Sequence, residues 1–250
     1  MRILGVVPAR FESTRFPGKV LADIGGKSMV QRVYEQALKS NLLERVVIAT
    51  EHSTVVEHVK SFGGDVVLTH DEHVSGTDRC FEALTKLTEE YDYVINIQGD
   101  EPFVSPAQID ELATLLDGSV ELATLIKRIR TADELNNPGE VKTVFNEKME
   151  ALYFSRQVIP VVRNYPAVDW LEHHNFYKHI GIYAYRSDVL ELVSKLNKSS
   201  LEEAESLEQL RWLENGMKIK LAFTEHESVC VDTKEDLEKV LANLEYYENI

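Results

Sequence analysis

The stretch "ILGVVPARFESTRFPGK", residues 3–19, joins a short apolar run to a polar loop that holds three cations. The run is rich in β-branched residues and too short for a helix, so it predicts a buried strand. Three similar runs follow it: "RVVIAT" at 45–50, "DVVLT" at 65–69 and "YVINIQ" at 93–98. Segments with helical periodicity lie between them, at 28–40, 55–62 and 78–90. This alternation predicts βαβ units and a mostly parallel central sheet flanked by helices.

The first predicted helix has the clearest signals of the three. Ser28 and Gln31 have the spacing of a capping box at its start. Its apolar residues recur every three or four positions and form one stripe: Val30, Val33, Tyr34, Ala37 and Leu38. The helix is therefore expected to pack that stripe against the sheet.

The order of the elements changes after residue 120. Four further strands are predicted there: "VELATLIKRI", "VKTVFN", "EALYFSR" and "HIGIYAYR". Because little helix separates the middle ones, they indicate an antiparallel extension over about residues 140–185. Helices at about 187–197 and 201–214, a strand "IKLAF" and a helix at 234–247 complete the pattern. No linker or internal repeat divides the sequence, so residues 1–250 are expected to form a single α/β domain.

The last strand of this group, "HIGIYAYR" at 179–186, has two different faces. Strand alternation places Ile180, Ile182 and Ala184 on one side. The other side carries His179, Gly181, Tyr183 and Tyr185. This polar and aromatic face either lines a pocket or is a solvated sheet face.

The composition excludes several classes of protein. With 44% apolar and 28% charged residues, the chain matches an ordinary globular protein. The net charge of −15 argues against nucleic acid or an anionic membrane as a partner, because such polyanions are bound through a cationic face. At physiological salt, screening limits the interaction between exposed charges to a range of about 8 Å. Any anionic ligand must therefore be held by nearby cations.

The two cysteines and the first residues indicate where the protein works. Cys80 and Cys230 do not form a metal-spaced pair, and so few thiols in a chain of this length are typical of a reduced, intracellular protein. The start "MRILGVVPAR" returns to charge too soon for a signal peptide or a membrane span. We therefore expect a cytoplasmic location.

Ligands of open α/β sheets bind beyond the carboxyl ends of the parallel strands, so the loops that follow the strands are the candidate sites. In the first loop Arg10, Arg15 and Lys19 outnumber the single acid Glu12, and Gly18 lets backbone approach a ligand closely. A phosphate cradle and a solvated basic loop explain this loop equally well. In the loop at Ser75 to Asp78, capping of the following helix is favoured over ligand binding.

Two acidic positions are candidates for a metal site. "QGDEP" at 98–102 places Asp100 beyond a buried strand, where a carboxylate needs a cation, and carboxylate oxygens suit Mg²⁺. Asp232 in "VCVDTKEDL" follows an apolar run that predicts a strand end and precedes a helix opened by Thr233, with Asp236 at the third helical position. From the residues alone, N-capping is favoured over metal binding there. The adjacent His173 and His174 indicate surface polarity rather than a metal site.

Taken together, these stretches resemble the 3-deoxy-D-manno-octulosonate (KDO) cytidylyltransferase family. The motifs that carry the resemblance span nearly the whole chain in order: "PAR" at 8–10, Arg15, "PGK" at 17–19, "SGT" at 75–77, "QGDEP" at 98–102, "YFSR" at 153–156, "HIGIY" at 179–183, "LEQLR" at 207–211 and "VDT" at 231–233. The first of them suit nucleotidyltransferases broadly. Their combination with "YFSR", "GIYAYR" and "LEQLR" is specific to the family.

The resemblance implies a nucleotide-diphospho-sugar transferase-like fold and a Mg²⁺-dependent reaction. CTP and KDO, an acidic octulosonate sugar, would give CMP-KDO and pyrophosphate for lipopolysaccharide biosynthesis. It also implies a homodimer, and the antiparallel extension at about 140–185 of this single nucleotidyltransferase domain is expected to contribute to it. Two metal ions about 4 Å apart would activate the attacking 2-hydroxyl and stabilise the phosphoryl oxygens.

The resemblance also implies roles for individual residues. The residues of the catalytic group would be Arg10, Lys19, Asp100 and Asp232, and the last two would bind the metal. The nucleotide would be bound by Pro8, Ala9, Arg10, Lys19, Ser75, Gly76 and Thr77. The sugar would be bound by Arg15, Gln98, Arg156, His179, Tyr183 and Glu208. All of this requires Asp100 and Asp232 to meet in the folded chain, opposite the cationic first loop.

Three positions depart from the family pattern. Val74 and Asp78 stand where many relatives carry glutamine and glutamate, and Cys230 stands where glycine is expected. Two alternatives to a KDO enzyme are open at this point. One is a cytidylyltransferase for another acidic sugar, such as a sialic acid or an amino-substituted KDO. The other is a non-catalytic CTP-binding regulator, which would have no need of both Asp100 and Asp232.

Overall fold

A computed structural model describes residues 1–13, 15–73, 75–227 and 229–248. The strands are β1 (Ile3–Pro8), β2 (Asp23–Ile24), β3 (Lys27–Ser28), β4 (Arg45–Thr50), β5 (Val66–Leu68), β6 (Tyr93–Asn96), β7 (Leu122–Arg128), β8 (Lys142–Phe145), β9 (Ala151–Ser155), β10 (Tyr177–Arg186) and β11 (Ile219–Phe223). The helices are α1 (Met29–Ala37), α2 (Ser53–Ser61), α3 (Gly76–Lys86), α4 (Pro106–Ala113), α5 (Ala132–Asn136), α6 (Trp170–His173), α7 (Ser187–Ser194), α8 (Ser200–Glu205), α9 (Gln209–Glu214), α10 (Lys234–Ala242) and α11 (Leu244–Glu248).

The central sheet has the order β11-β7-β10-β6-β1-β4-β5. β1 pairs in parallel with β4 and β6, and the pairs β4/β5 and β7/β11 are also parallel. β10 is antiparallel to both of its neighbours, β6 and β7. The predicted mostly parallel sheet flanked by helices is therefore confirmed.

The antiparallel extension is built on one end of β10. β8 pairs with residues 177–178 of β10 on one edge and with β9 on the other. The rest of β10, residues 179–186, lies in the centre of the main sheet. β10 thus connects the extension to the core.

Two apolar layers cover the faces of the sheet. One contains residues of α1, α2 and α4, including Val33, Val55 and Ile109. The other contains residues of α3, α7 and α9, including Cys80, Leu190 and Trp212. Because both faces are covered, β1 is apolar over residues 3–7, and all five of these residues are buried.

The start of α1 forms half of the predicted capping box. The Ser28 side chain accepts a hydrogen bond from the Gln31 amide at 3.2 Å. The Gln31 side chain does not return to Ser28 but donates to Glu35 at 2.9 Å. Ser28 therefore caps the helix, and Gln31 contributes to its solvent-facing side.

Two long helices expected near the carboxyl end are each divided in two. The segment predicted as one helix at 201–214 breaks into α8 and α9 at Ser206, which has a left-handed φ of 53°. There Arg156 donates to the carbonyl oxygens of Glu205 and Ser206, and a cationic side chain at the last carbonyls ends a helix favourably. The segment at 234–247 breaks at Asn243, between α10 and α11.

The predicted alternation in β10 is correct, and its aromatic face is buried. Ile180 and Ala184 lie in one apolar layer, while Tyr183 and Tyr185 lie in the other. The rings of Tyr183 and Tyr185 meet Trp212 of α9 edge-on, with centroids 5.1 and 5.5 Å away. The alternative of a solvated sheet face is therefore wrong. Within the described ranges, no helix combines the length and the apolar composition needed to cross a bilayer.

Candidate active site

The loops after β1 and β6 meet the segment before α10 at the carboxyl end of the parallel strands. They surround a cavity of about 400 Å³. The residues that line it are Pro8, Arg10, Glu12, Ser13, Arg15, Lys19, Val20, Gly76, Gln98, Gly99, Asp100 and Asp232. Open α/β sheets bind ligands at this end. The structure brings eight of the predicted site residues together here: Pro8, Arg10, Arg15, Lys19, Gly76, Gln98, Asp100 and Asp232.

Lys19 holds two carboxylates in this cavity. Its ammonium group donates to Asp100 Oδ2 at 2.8 Å and to Asp232 Oδ1 at 2.7 Å. The other oxygen of Asp232 accepts a hydrogen bond from Arg15 at 2.9 Å. Burial by itself lowers the pKa of Lys19, but the two carboxylates outweigh it, so the pKa is raised. Burial likewise raises the pKa of Asp232, and Lys19 and Arg15 together bring it below its ordinary value.

Asp232 is free to face the cavity because its neighbours cap α10. Thr233 accepts a hydrogen bond from the Asp236 amide, and Asp236 accepts one from the Thr233 amide, which completes a capping box. The N-cap expected near Asp232 is therefore formed by Thr233, and the Asp232 carboxylate takes no part in it. Residues 229–231 do not form the strand end that was expected there.

The backbone fixes Asp100 next to Asp232. The Val231 amide donates to the Asp100 carbonyl oxygen at 2.9 Å, which joins the two acidic segments directly. Gly99 lies against the Pro8 carbonyl oxygen so closely that a Cβ atom at this position would overlap it. The loop after β6 is thereby fixed to the end of β1.

The two acidic segments bring three possible metal-ligand side chains together. One oxygen each from Asp100 and Asp232 and the Cys230 sulfur all lie within 4.8 Å of one another. The Lys19 ammonium, bound by both carboxylates, demonstrates that they converge on one cation. Carboxylate oxygens are the ligands Mg²⁺ prefers, so the two aspartates fit this ion.

A buried ion pair anchors the first loop. The Phe11 amide donates to Glu51 Oε1 at 2.8 Å, and the Phe11 ring stacks on His52 with centroids 4.0 Å apart. The other oxygen of Glu51 pairs with Arg79 Nη1 at 3.0 Å. The Arg79 side chain is completely buried. These buried contacts thus fix the loop that carries the exposed residue Arg10.

The loop at Ser75 to Asp78 contacts the aromatic face of β10. Ser75 caps α3 by accepting from the Asp78 amide at 3.1 Å, which is the favoured prediction for this loop. The buried Thr77 hydroxyl donates to Glu208 at 2.8 Å and lies 3.3 Å from the Tyr185 hydroxyl. Burial raises the pKa of Glu208. The departure noted at Val74 lies outside the described residues.

The residues predicted to bind the sugar do not all lie together. Gln98 lines the cavity and donates to the Gly181 carbonyl oxygen at 2.6 Å. His179 contacts the Thr124 hydroxyl at 3.0 Å, and burial lowers its pKa to about 3, so the ring is neutral. The buried Tyr183 hydroxyl lacks a hydrogen-bond partner within the described ranges. Arg156 does not line the cavity described above; its guanidinium donates to the carbonyl oxygens of Pro138, Glu205 and Ser206.

Comparison with known proteins identifies the family. A family model described as "Cytidylyltransferase" matches residues 4–219. The 3-deoxy-manno-octulosonate cytidylyltransferase of Parabacteroides distasonis is 53% identical to this chain, and the alignment covers 98% of each of the two chains. That of Cytophaga hutchinsonii is 52% identical over 95% of this chain and 96% of its own. This chain belongs to the 3-deoxy-manno-octulosonate cytidylyltransferase family. The resemblance seen in the motifs is confirmed.

Solved structures agree with this family. The structure of a CMP:2-keto-3-deoxy-manno-octonic acid synthetase in complex with CTP is 42% identical, with a TM-score of 0.91 over 98% of this chain and 99% of that one. A 4-diphosphocytidyl-2C-methyl-D-erythritol synthase from Anaerococcus prevotii has a TM-score of 0.63 at 12% identity. The second likeness establishes the shared fold alone.

In this cytidylyltransferase, three residues next to the site were not singled out for it from the sequence. Glu51, which lies between β4 and α2, and Arg79 of α3 anchor the first loop, and Cys230 lies beside the two carboxylates. A charged residue within the buried face of a helix, such as Arg79 in α3, is a signal that was available. Cys230 was noted only as a departure from the family pattern, and its place two residues before Asp232 was the available signal.

Proposed function

We propose that this enzyme transfers CMP from CTP to the 2-hydroxyl of KDO and releases pyrophosphate. The observation that carries the proposal is the convergence of Asp100 and Asp232 on one cation, beside the cationic first loop. The names of the relatives and the CTP complex of the similar structure support it. The presence of both aspartates also argues against a non-catalytic CTP-binding regulator.

The first loop would bind the triphosphate. CTP brings about four negative charges to a protein whose net charge is −15, so local cations must attract it. Arg10, Arg15 and Lys19 supply them at the cavity. An ammonium group has three donors, and Lys19 gives two of them to the aspartates. The third is left for a phosphate oxygen.

We assign Mg²⁺ to Asp100 and Asp232. When bound, Mg²⁺ would neutralise charge on the reacting phosphate groups and lower the pKa of the attacking hydroxyl. The protein side of catalysis is then mainly positioning: Arg10 and Lys19 orient the phosphates, and Pro8, Ala9, Ser75, Gly76 and Thr77 enclose the nucleoside. These are the roles that the family motifs imply for the matching residues of this chain.

The sugar would bind beside Gln98, His179, Tyr183 and Glu208. The neutral His179 ring and the unpartnered Tyr183 hydroxyl are suited to hydrogen bonds with sugar hydroxyls. Arg156 gives one N–H each from Nε, Nη1 and Nη2 to carbonyl oxygens, so Nη1 and Nη2 each keep one donor. These two donors would bind the carboxylate of the sugar acid.

A pyrophosphate assay tests this proposal. Purified protein is incubated with CTP, Mg²⁺ and one of three sugars: KDO, an amino-substituted KDO or a sialic acid. We expect pyrophosphate release with KDO that requires both CTP and Mg²⁺. Faster turnover of a different acidic sugar would reassign the substrate, and no release with any sugar or divalent metal would refute the enzyme's proposed reaction.

We also propose a homodimer formed through the extension, with the protein acting in the cytoplasm in lipopolysaccharide biosynthesis. Four large hydrophobic side chains on residues 140–185 are exposed: Leu152 (59%), Val161 (68%), Tyr165 (45%) and Val168 (84%). Exposed apolar side chains of this size are expected to be covered in an interface between subunits. Light scattering after size exclusion should give the dimer mass, and Leu152→Glu with Val168→Glu should give the monomer mass. A monomeric unmodified protein would contradict this assignment.

A further inference from the structure

Cys230 lies at the proposed metal site and has no role in the reaction derived above. Its sulfur and one oxygen each of Asp100 and Asp232 lie within 4.8 Å of one another. Cys230 is exposed, whereas Cys80 is buried in the core. A dissolved ion can therefore reach the first thiol and not the second.

The backbone holds these three side chains in place without a metal. The hydrogen bond from the Val231 amide to the Asp100 carbonyl oxygen lies between Cys230 and Asp232 in sequence. The Asp232 amide donates to Asp236 at 3.3 Å, so Asp232 is attached to the capped end of α10. A site that is ordered before binding loses less conformational entropy when an ion arrives.

The site already accommodates a cation between its carboxylates. Asp100 and Asp232 both accept hydrogen bonds from the Lys19 ammonium, at 2.8 and 2.7 Å. These bonds are independent of Cys230, and they show that positive charge is stabilised at this point. An ion that binds here would take over part of the role of that ammonium group.

The three donors differ in their chemical preference. Carboxylate oxygens are hard ligands and bind Mg²⁺, whereas a thiolate is a soft ligand that favours ions such as Zn²⁺. Two carboxylates and one thiolate, with a remaining position for water or a phosphate oxygen, form a set that four-coordinate Zn²⁺ accepts. A site of two carboxylates alone would prefer such ions over Mg²⁺ much less strongly.

We propose that Cys230 is a third ligand at the Asp100–Asp232 site and that it makes the site bind thiophilic divalent ions more tightly than Mg²⁺. On binding, the sulfur–metal bond forms, the thiol proton is released to solvent, and both carboxylates remain ionised. The inference rests on the proposed function only in that both use the same two aspartates.

Cadmium titration of the metal-free protein tests the thiol ligand directly. Cd²⁺ is added without nucleotide or sugar, and the near-ultraviolet charge-transfer band of a cadmium thiolate is recorded. We expect a band that saturates at about one equivalent, is lost in Cys230→Ser and Cys230→Ala, and persists in Cys80→Ala. No band in the unmodified protein, or a band that persists in both Cys230 variants, would overturn the proposal.

Two further variants test whether the carboxylates act together with the thiol. Asp100→Asn and Asp232→Asn keep Cys230 and should each raise the apparent Kd for Cd²⁺ at least about tenfold. Asp71→Asn, an exposed carboxylate away from the cavity, is the matched control and should not change it. Unchanged Cd²⁺ affinity in both aspartate variants would mean binding to a lone thiol and would refute the shared site.

Competition with Mg²⁺ completes the test. Excess Mg²⁺ should displace Cd²⁺ from Cys230→Ser, as followed by equilibrium dialysis, at a concentration at least tenfold lower than from the unmodified protein. Equal displacement from both would contradict the preference. Because none of these measurements needs turnover, a protein that releases pyrophosphate but lacks the cadmium band refutes this inference alone. A protein with the band and no turnover refutes the proposed function alone.

Discussion

The ammonium group of Lys19 lies 2.7 Å from Asp232 Oδ1, and 213 positions of the sequence separate the two residues. Lys19 follows the first strand and Asp232 precedes the helix α10, so only the completed fold brings them together. The Lys19 side chain is 13% exposed and that of Asp232 is 30% exposed. The pair is thus open to a ligand on one side and shielded on the other. This arrangement leads to a direct prediction for Asp232.

Asp232→Asn should remove turnover and leave the fold intact. The substitution keeps the size of the side chain but removes the charge that faces Lys19 and the proposed Mg²⁺ site. Loss of one preorganised electrostatic group at a reacting centre typically lowers kcat by about 10²–10³-fold. The rate of pyrophosphate release measures the loss, and circular dichroism checks the fold. Near-normal turnover would remove Asp232 from the catalytic group.

Asp236→Asn is the matched control for that experiment. Asp236 completes the capping box of α10 with Thr233 and does not line the cavity. Its loss should lower the free energy of unfolding by about 1 kcal/mol while most of the turnover remains. The two variants would then show that Asp232 is needed for turnover and that Asp236 stabilises the helix.

This division also shows what sequence reasoning can determine. The signals for a helix start at residues 232–236 are local, and they predict a cap correctly. They favoured N-capping over a metal role for Asp232, because the Lys19 contact is tertiary and leaves no mark in the local pattern. The family motifs, read in order, supplied the missing pairing of Asp100 with Asp232.

For Arg156, the sequence predicts a role but not the contacts that the side chain makes. The motif "YFSR" predicts a role for this residue in sugar binding, and its local sequence says nothing about carbonyl partners. In the fold, three of its N–H groups are used at Pro138, Glu205 and Ser206. The same contacts explain why the predicted helix at 201–214 is divided, since Arg156 satisfies the carbonyl groups where α8 ends. Both features depend on a contact between segments about 50 residues apart in sequence.

Gly99→Ala should separate the two loops that form the site. A Cβ at residue 99 would overlap the Pro8 carbonyl oxygen, which belongs to the backbone and cannot rotate away. We expect the free energy of unfolding to fall by about 1–3 kcal/mol, as for other overpacked positions, together with a loss of turnover. Urea unfolding and pyrophosphate release measure these effects.

Gly181→Ala provides the comparison for Gly99→Ala. Among the described residues, a Cβ at residue 181 would have no atom within 4 Å apart from those of its two chain neighbours. The same chemical change should therefore alter stability by less than about 0.5 kcal/mol. Equal destabilisation by both substitutions would show that the close approach of Gly99 to Pro8 is not the reason why a larger residue at position 99 lowers stability.

His179 should make stability depend on pH between about 6.5 and 5. Burial lowers its pKa to about 3, from an ordinary value of 6.5. In this range the unfolded chain binds a proton that the folded chain does not, so stability falls as the pH falls. The slope for this one group is at most about 1.4 kcal/mol per pH unit, and carboxylates titrate mostly below the range.

Urea unfolding at several pH values tests the contribution of His179. His179→Gln should flatten the slope between pH 6.5 and 5, because glutamine takes up no proton in either state. His70→Gln, which changes a side chain that is 77% exposed, should leave the slope as in the unmodified protein. An unchanged slope in His179→Gln would mean that the ring is protonated in the folded state as readily as in the unfolded state.

Glu51→Ala should weaken both stability and CTP binding, and a second substitution should separate the two effects. Glu51 accepts from the Phe11 amide at 2.8 Å and pairs with the buried Arg79 at 3.0 Å. Removing one partner of a buried pair leaves an uncompensated charge, so we expect a loss of about 3–5 kcal/mol. Adding Arg79→Met removes that charge and should recover most of the loss. The KM for CTP should be raised in both variants, since neither holds the Phe11 amide and the loop that carries Arg10. If the double variant regained the original KM along with its stability, Glu51 would act on the fold alone and not on the position of the loop.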